Sequence, residues 1–374
     1  MPSRCSRLNQ DYQELLALKE QFSAELTQAM VSGDFSEVAL LKAEITEKKR
    51  ALESQLNPFE AALKIREQYE TQKKIYESIG LLEKREGILG MEGIDGKWYE
   101  FPSLSEVNQR FCEQKEMLDI KTDQGFEKLL IVPFGMSLKK FTETMEKTLL
   151  THFEGTAPDP ANPDIMMPDS EKTQLFATNA DGTREKLRLH INPLCVRSEY
   201  TDTAGTLVYF PKVLDRDATI HQGKTKQELL KDTGQDFHIL LIEKNPIIPA
   251  EGTDAIIGTK QPRKRLVAGD TPKNYLETLR TKSEYRGEEG LTPEAWMTQF
   301  LLHLEETNEV IDDHMGNGKV NFNLGGWLPT VGNVARGDWY RDNARAFLGG
   351  NHSKHQSSEI GFRSAVRILS LIHI

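Results

Sequence analysis

The stretch of sequence that decides the C-terminal fold covers residues 333–368 and reads NVARGDWYRDNARAFLGGNHSKHQSSEIGFRSAVRI. Between Trp339 near its beginning and the run IGFR at residues 360–363, the residue types Asn, Ser, Gly, His and Tyr dominate. Binding surfaces use the same types, with Tyr and Arg as anchors and Ser, Gly and Asn as adaptable hydrogen-bonding partners. The stretch carries six basic and three acidic side chains, a net +3 within a chain of net charge −10. It therefore predicts a binding segment held between two fixed ends.

Both ends of this stretch resemble the closing segment of the formylglycine-generating-enzyme branch of the C-type lectin fold. In that branch an R-G-x-x-W turn is followed by an A-R pair and a final I-G-F-R strand. Here Arg336 and Gly337 are followed by Trp339 one residue early, while residues 344–345 read AR and residues 360–363 read IGFR. The resemblance covers about a tenth of the chain and implies a C-type lectin-like domain.

The cysteines depart from the enzymatic members of that branch, which need active-site cysteines in this domain. Cys5, Cys112 and Cys195 are the three cysteines of the chain, and none follows Cys195. Members that keep the fold without the cysteines include the variable proteins of diversity-generating retroelements, in which error-prone copying at template adenines rewrites surface codons. The layout of this chain is similar to variable proteins of uncultivated, small-genome bacteria. The resemblance thus implies a non-enzymatic ligand-binding protein with a diversified surface.

The residues of the binding segment fit adenine-directed mutagenesis. An AAC-type codon yields Tyr, Asn, Ser, Gly, His, Asp, Arg, Phe or Leu when its adenines change. We expect an unknown protein or glycan to bind a variable face drawn from the segment 336–359, with these residues: Tyr340, Asn343, Arg345, Phe347, Asn351, His352, Ser353, Lys354, His355 and Gln356. Lys354 and Gln356 cannot arise from that codon, so the varying subset stays open. An ordinary polar loop before a last strand is the alternative.

A second set of residues in the same stretch is expected to hold the scaffold, and it consists of Trp339, Arg341, Asp342, Gly361, Phe362 and Arg363. Trp339 and Phe362 are expected in the core, and Gly361 is expected to permit the bend into the final strand. Arg341 and Asp342 are expected to pair with each other or with neighbours. A buried partner is expected for Arg363, because a guanidinium cannot be left unpaired inside a protein.

The N-terminal residues 1–85 have the composition and apolar spacing of long helices. Leu15 and Leu18 begin an apolar seam spaced by threes and fours, which resumes at Val38 and Leu41 after a short break. The spacing predicts an antiparallel helical hairpin or coiled-coil arm, followed by a third helix within the same range. Such an arm offers a surface for self-association.

The rest of the chain divides into two further predicted parts, which give an α+β fold class overall. Residues 86–157 are predicted to form a small α/β module, and the proline-rich loop after it is too dense in proline for a helix or a central strand. Residues 170–368 are predicted to form the C-type lectin-like ligand-binding domain, with short strands and two helices that begin at Thr-Pro pairs. The last residues, 369–374, resemble translated adapter sequence and are predicted to be a non-native tail.

Composition argues against several functions. The 47 Lys and Arg against 57 Asp and Glu disfavour a nucleic-acid partner. No apolar run reaches about 18 residues, which predicts no membrane span, and no signal peptide is evident, which favours the cytoplasm. No cofactor is expected; the weak candidate for a metal is calcium at Asp312 and Asp313, because hard cations prefer several oxygen ligands.

Two other functions remain open on the sequence. A divergent formylglycine-generating-type oxidase would use a metal with His352 or His355 in place of cysteines. A coiled-coil scaffold protein would act through residues 1–85, with the C-terminus only as a cap. A pocket that gathers the two histidines with a carboxylate would favour the oxidase.

Overall fold

The computed structural model describes residues 4–32, 35–56, 63–201, 206–233, 236–253 and 255–368. Over these residues the chain has a mixed α+β fold, which confirms the predicted class. Its contacts divide it into two units. The first contains the described chain up to Glu70 together with Pro102–Leu118, and the second contains Thr71–Phe101 and Asp119–Ile368. The tail predicted at residues 369–374 lies outside the described residues.

Helices occur in both units. In chain order they are α1 (Arg4–Ser32), α2 (Ser36–Leu56), α3 (Ile65–Ser78), α4 (Leu104–Glu113), α5 (Lys115–Asp123), α6 (Leu138–Thr151), α7 (Ala218–His221), α8 (Lys226–Thr233), α9 (Pro272–Thr281) and α10 (Pro293–Thr307), with 3-10 turns at Ser283–Tyr285 and Arg341–Asn343. Among the described residues, no helix combines the length and the apolar character that crossing a bilayer requires.

The first two helices pack against each other within the first unit. Leu15 of α1 and both Val38 and Leu41 of α2 are buried, as the apolar spacing predicts. Lys48 of α2 forms an ion pair with Glu14 of α1, and the two residues lie at similar distances along the chain from the connection between the helices. The connection is short, so the two helices run antiparallel.

The strands are short except for three near the C-terminus. They are β1 (Glu83–Arg85), β2 (Ile88–Glu92), β3 (Trp98–Glu100), β4 (Phe126–Val132), β5 (Gly155–Asp159), β6 (Asn162–Pro168), β7 (Phe176–Thr178), β8 (Arg184–Lys186), β9 (Leu189–His190), β10 (Leu194–Val196), β11 (Val208–Tyr209), β12 (His238–Glu243), β13 (Ile256–Ile257), β14 (Arg263–Lys264), β15 (Glu288–Gly290), β16 (Val320–Leu328), β17 (Asn333–Tyr340), β18 (Arg345–His352), β19 (Ile360–Phe362) and β20 (Ser364–Arg367).

Two sheets dominate the second unit. The larger has the order β10-β18-β17-β16-β11, with β19 also pairing with β16, and the smaller has the order β15-β20-β12-β4. Strands β17 and β18 pair antiparallel without interruption from Asn333↔His352 to Tyr340↔Arg345. Only Arg363 separates β19 from β20, so the chain passes from one sheet to the other at this residue.

Helix α10 lies at the centre of the packing in the second unit. Its Trp296 and Phe300 are fully buried. The helix begins as its Thr-Pro pair predicts, because the Thr292 hydroxyl accepts a hydrogen bond from the Ala295 amide and Pro293 occupies the first helical position. A Cβ atom added at Gly337 of β17 would collide with the Trp296 ring, so this helix packs directly on the larger sheet.

The proline-rich segment differs from the prediction. It was expected to be a loop, but β5 and β6 form an antiparallel hairpin there, and β6 lies between β5 and β9. The hairpin accommodates its prolines because the register is interrupted beside Pro158 and because Pro168 ends β6. A strand with these irregularities needs fewer backbone donors than a regular central strand.

The predicted boundaries near residues 85 and 157 both fall inside the second unit. Strand β4, predicted for the separate α/β module at residues 86–157, pairs along its length with β12 from the predicted lectin-like part. Residues 86–157 are therefore divided between the two units. Local spacing could not show this, because the partner of β4 lies about a hundred residues later in the chain.

Candidate ligand-binding face

The register of β17 and β18 sorts their side chains into two sets. Successive side chains of a strand point to opposite faces, and residues directly paired across two strands share a face. Because Asp338 pairs with Phe347 and Tyr340 pairs with Arg345, these four residues share one face with Arg336. We call this set of five the outer face.

The opposite set forms the packing surface against helix α10. Trp339, Ala346 and Leu348 are fully buried there, and Gly337 lies against the Trp296 ring. In contrast, Tyr340, Arg345 and Phe347 of the outer face are each half-buried. Three predicted variable residues thus lie together and accessible, while the framework residues between them are enclosed.

Ring contacts organise the outer face. The Arg336 guanidinium lies 5.0 Å from the centre of the Phe347 ring, in cation–π geometry. The His314 ring stacks on Tyr340 with a centroid distance of 5.4 Å and an interplanar angle of 10°. Cys195 of β10 pairs with Phe347 and is half-buried beside this face.

Asp338 is the acidic residue of the outer face, and its pKa is raised. Its side chain is 1% exposed, and burial raises its pKa to about 7, while the positive charge of Arg336 opposes the shift. Its two oxygens lie 3.7 Å from Arg336 Nε and 3.7 Å from His314 Nδ1, which is too far for hydrogen bonds. Asp338 Oδ1 and both nitrogens are buried and have no hydrogen-bond partner among the described residues. Buried polar groups normally have partners, so this cluster has unused hydrogen-bonding capacity.

The remaining predicted variable residues do not join the outer face. Asn343 is exposed in the 3-10 turn, and Asn351 is half-buried opposite Val334, farther along the same side of β18. His352 is exposed but pairs with Asn333, so it lies on the other side of the strand pair. The ten residues therefore do not all lie on one face, because strand alternation puts His352 on the side opposite Asn351.

The loop after β18 also divides the predicted set. Lys354, His355 and Gln356 are exposed, and the Gln356 side chain donates to the Gly269 carbonyl at 2.7 Å. Ser353 is buried, and its carbonyl accepts a hydrogen bond from the Lys273 amide. Ser353 therefore does not lie on an exposed binding surface, where the sequence predicted it.

The scaffold residues have definite partners. Trp339 and Phe362 are buried, and Arg363 forms two hydrogen bonds to Asp312, of 2.5 and 2.6 Å. Arg341 pairs with Asp313 and Glu185 instead of with exposed Asp342.

Two expectations about this segment need correction. Gly361 lies inside β19, and a Cβ there would collide with Ile248, so close packing and not a bend requires glycine. Residues 336–339, expected at a turn, lie within β17, and the turn follows at Arg341–Asn343. The backbone remains extended through Trp339 because residues 333–340 all pair with β18.

The two residues predicted as a calcium site, Asp312 and Asp313, are paired with arginine side chains. Both oxygens of Asp312 are bound by Arg363, and Trp296 Nε1 also donates to Oδ2 at 2.8 Å. Asp313 Oδ2 accepts from Arg341 Nε at 2.6 Å. Over the described residues, no group of three or more His, Cys, Asp and Glu side chains is arranged to hold a metal ion.

Sequence reasoning missed three residues of this site as binding residues: His314, Arg336 and Asp338. Arg336 and Asp338 could have been found by counting back in twos from Tyr340, once residues 333–340 are taken as a strand. His314 comes from a separate segment, so no local pattern identifies it. Comparison with known families, curated proteins and solved structures found nothing that matches this chain.

Proposed function

We propose that this protein binds ligands through the outer face of β17 and β18, and that a retroelement diversifies this face at adenine-containing codons. One observation carries the proposal. Tyr340, Arg345 and Phe347, which such codons can encode, are accessible on one side of the strand pair, while the residues that alternate with them are buried on the other.

This arrangement favours a surface that tolerates change. Substitutions at accessible positions away from special features usually change stability by about 0.5 kcal/mol or less, whereas truncating a buried aromatic costs about 3–5 kcal/mol. Mutagenesis confined to the accessible positions would therefore alter recognition and leave the fold intact. The fixed Arg336, Asp338 and His314 would supply a common polar centre beneath the changing side chains.

The chemistry of the face suits recognition of a protein or glycan. Tyr340 and Phe347 supply rigid apolar area, and Arg345 supplies a cation with several donors. Such aromatic and arginine side chains contribute most of the binding energy in many interfaces.

A C-type lectin-like arrangement of the C-terminal part belongs to the same proposal. Its support is the position of the IGFR run, whose first three residues pair with β16 and whose arginine is fixed by Asp312. The oxidase alternative has less support, because His352 and His355 are exposed side chains of a strand end and a loop.

Self-association through the helical hairpin is a further part of the proposal. Met30, Phe35 and Leu40 are exposed apolar side chains near the end of the hairpin where the two helices connect. Large exposed apolar side chains that lie together favour a protein contact. Light scattering of the full chain and of a Met30→Lys, Leu40→Lys double variant tests this part, since only the unaltered chain should form oligomers.

A pair of libraries tests the binding function. One library randomises positions 340, 345 and 347 of the displayed full chain, and the matched library randomises positions 339, 346 and 348. We expect the first library to retain folded chains and to yield binders against test proteins, and the second to lose folded chains. Equal loss of folded chains in both would contradict the proposed face.

The neighbouring DNA tests the diversification. It should contain a reverse-transcriptase gene and an imperfect repeat of the 3′ end of this gene, with differences at template adenines. If the repeat is missing, diversification is excluded, while ligand binding by the outer face is still tested by the libraries.

A further inference from the structure

The outer face continues beyond β17 and β18 onto β10. Strand β10 pairs parallel with β18, and its half-buried Cys195 lies on the same side as its partner Phe347. The Arg197 amide donates to the Leu348 carbonyl at 3.1 Å, so the hydrogen bonding between the two strands continues past the end of β10. Alternation then places the exposed Arg197 side chain on the same side as Cys195. Arg197 therefore extends the outer face by one positive charge.

Arg197 and Arg336 lie on either side of a residue without a side chain. Arg336 of β17 pairs with Gly349 of β18, and the continued pairing places Arg197 on the other side of the same glycine. The hydroxyl of the buried Tyr200 donates to the Gly349 carbonyl. Burial raises the pKa of this hydroxyl, and the positive charges of Arg336 and Arg197 both oppose the shift. Both guanidinium groups thus act on the same hydroxyl, which agrees with their places beside Gly349.

Arg345 supplies a third guanidinium at the other end of the face. It is half-buried and pairs with Tyr340 in the register of the two strands. Neither the Arg345 nor the Arg197 side chain has an ion-pair or hydrogen-bond partner among the described residues. Arg336 is restrained by its cation–π contact with Phe347. These guanidinium groups therefore have donors that a ligand can use.

The accessible charge of the extended face is positive. Its carboxylate, Asp338, has a side chain that is 1% exposed, and burial raises its pKa to about 7, which reduces its negative charge near neutral pH. Glu199, which also acts on Tyr200, lies in the turn after β10 and not on a strand of the face. Coulombic attraction therefore favours an acidic ligand on this face, although the whole chain has a net charge of −10.

The spacing of the positive charges matches that of an extended polypeptide. Arg345 and Gly349 are four residues apart on β18, a separation of about 14 Å at about 3.4 Å per residue. Side chains at positions i and i+4 of an extended peptide point to one side at the same separation. Phe347 lies midway between the two ends and presents a half-buried ring to position i+2.

We propose that the outer face binds an extended acidic segment of a partner protein. Carboxylates at positions i and i+4 pair with Arg345 at one end and with Arg197 and Arg336 at the other, in charge-assisted hydrogen bonds. An apolar side chain at i+2 lies on the Phe347 ring. The proposal rests on the proposed function, because it uses the same face, and it adds the chemical class of the ligand and a residue outside the predicted variable segment.

Two other anionic ligands are separated from this one by experiment. Single strands of nucleic acid also bind arginine and aromatic side chains, and an anionic glycan carries carboxylates or sulfates. The net charge of −10 repels a long polyanion, whereas a short acidic segment meets only the positive face.

Fluorescence anisotropy of a labelled peptide mixed with the full chain tests the proposal. The peptide has nine residues, with Glu at its third and seventh positions, Leu at its fifth, and Ser and Thr elsewhere. We expect saturable binding that weakens by about 10-fold or more when both Glu are replaced by Gln, and that also weakens when the two Glu are placed next to each other. Absence of saturable binding, or equal binding of either altered peptide, would overturn the proposal. Displacement by oligothymidylate or chondroitin sulfate at a lower concentration than by unlabelled peptide would also overturn it, in favour of a nucleic acid or a glycan.

Variants separate the extended face from general charge effects. Arg197→Gln and Arg345→Gln should each weaken peptide binding by about 5-fold or more, because each removes a charge-assisted hydrogen bond. The matched variant Arg286→Gln, which removes an exposed arginine outside the face, should leave binding unchanged. All three change accessible side chains and should keep the denaturation midpoint of the full chain. Unchanged peptide binding in Arg197→Gln, or an equal loss in Arg286→Gln, would refute the assigned contacts.

The ligand class and the proposed function can fail separately. If the library randomised at positions 340, 345 and 347 yields binders while the natural chain does not bind the acidic peptide, the ligand class alone is wrong. If that library loses its folded chains, the proposed face is wrong, whatever the peptide does.

Discussion

Two adjacent residues of β17 give the sharpest test of the separation between its faces. Trp339 is fully buried against α10, so Trp339→Ala should lower the free energy of unfolding by about 3–5 kcal/mol. Tyr340 is half-buried, and its main ring contact is the stacked His314. Such an aromatic pair contributes about 0.5–1.5 kcal/mol, so Tyr340→Ala should cost about 1 kcal/mol. The two neighbours should therefore differ by at least about 2 kcal/mol, or about 30-fold in the unfolding equilibrium.

Tryptophan fluorescence during chemical denaturation measures this difference within one unit. The four tryptophans, at positions 98, 296, 327 and 339, all belong to the second unit, so their signal reports on its unfolding. Trp339→Phe serves as a control for the lost fluorophore, and it should be destabilised less than Trp339→Ala. If Tyr340→Ala is destabilised as much as Trp339→Ala, the assignment of the two faces is incorrect.

The same fluorescence assay tests three further substitutions. The pKa of Asp338 rises to about 7 on folding, so the folded chain holds a proton that the unfolded chain releases. The free energy of unfolding should therefore fall as pH rises from about 4 to about 7. Asp338→Asn should remove this part of the pH dependence. Arg363→Met leaves buried Asp312 without its cation and should cost about 3–5 kcal/mol, whereas a loss under about 1 kcal/mol would contradict the buried pair. Gly337→Ala places a methyl group against Trp296 and should cost about 1–3 kcal/mol, and an unchanged midpoint would show that the helix does not contact the strand there.

The parts of the fold that could be predicted are those fixed by neighbouring residues. The Thr292–Pro293 start of α10 follows from the hydroxyl cap and from the missing amide of proline. The seam of α1 and α2 follows from apolar spacing. A buried partner for Arg363 follows from the cost of an unpaired guanidinium, although the sequence could not identify Asp312 as that partner.

The parts that could not be predicted depend on contacts between distant segments. Nothing near β4 indicates that it pairs with β12, and nothing near Tyr340 indicates that His314 stacks on it. Composition also treated Phe347 and Ser353 as equivalent members of a variable set. Phe347 is half-buried on the outer face of β18, whereas Ser353 follows the strand and is buried, with its carbonyl accepting from the Lys273 amide. Residue type alone cannot distinguish the two, because the burial of Ser353 depends on a segment about eighty residues earlier in the chain.

Sequencing the 3′ end of this gene across sibling cells tests the central claim most directly. The account predicts substitutions concentrated at adenine-containing codons of the outer face, with positions 340, 345 and 347 varying while positions 337, 339, 346 and 348 stay constant. Identical sequences in all siblings, or substitutions spread equally over accessible and buried positions, would contradict it.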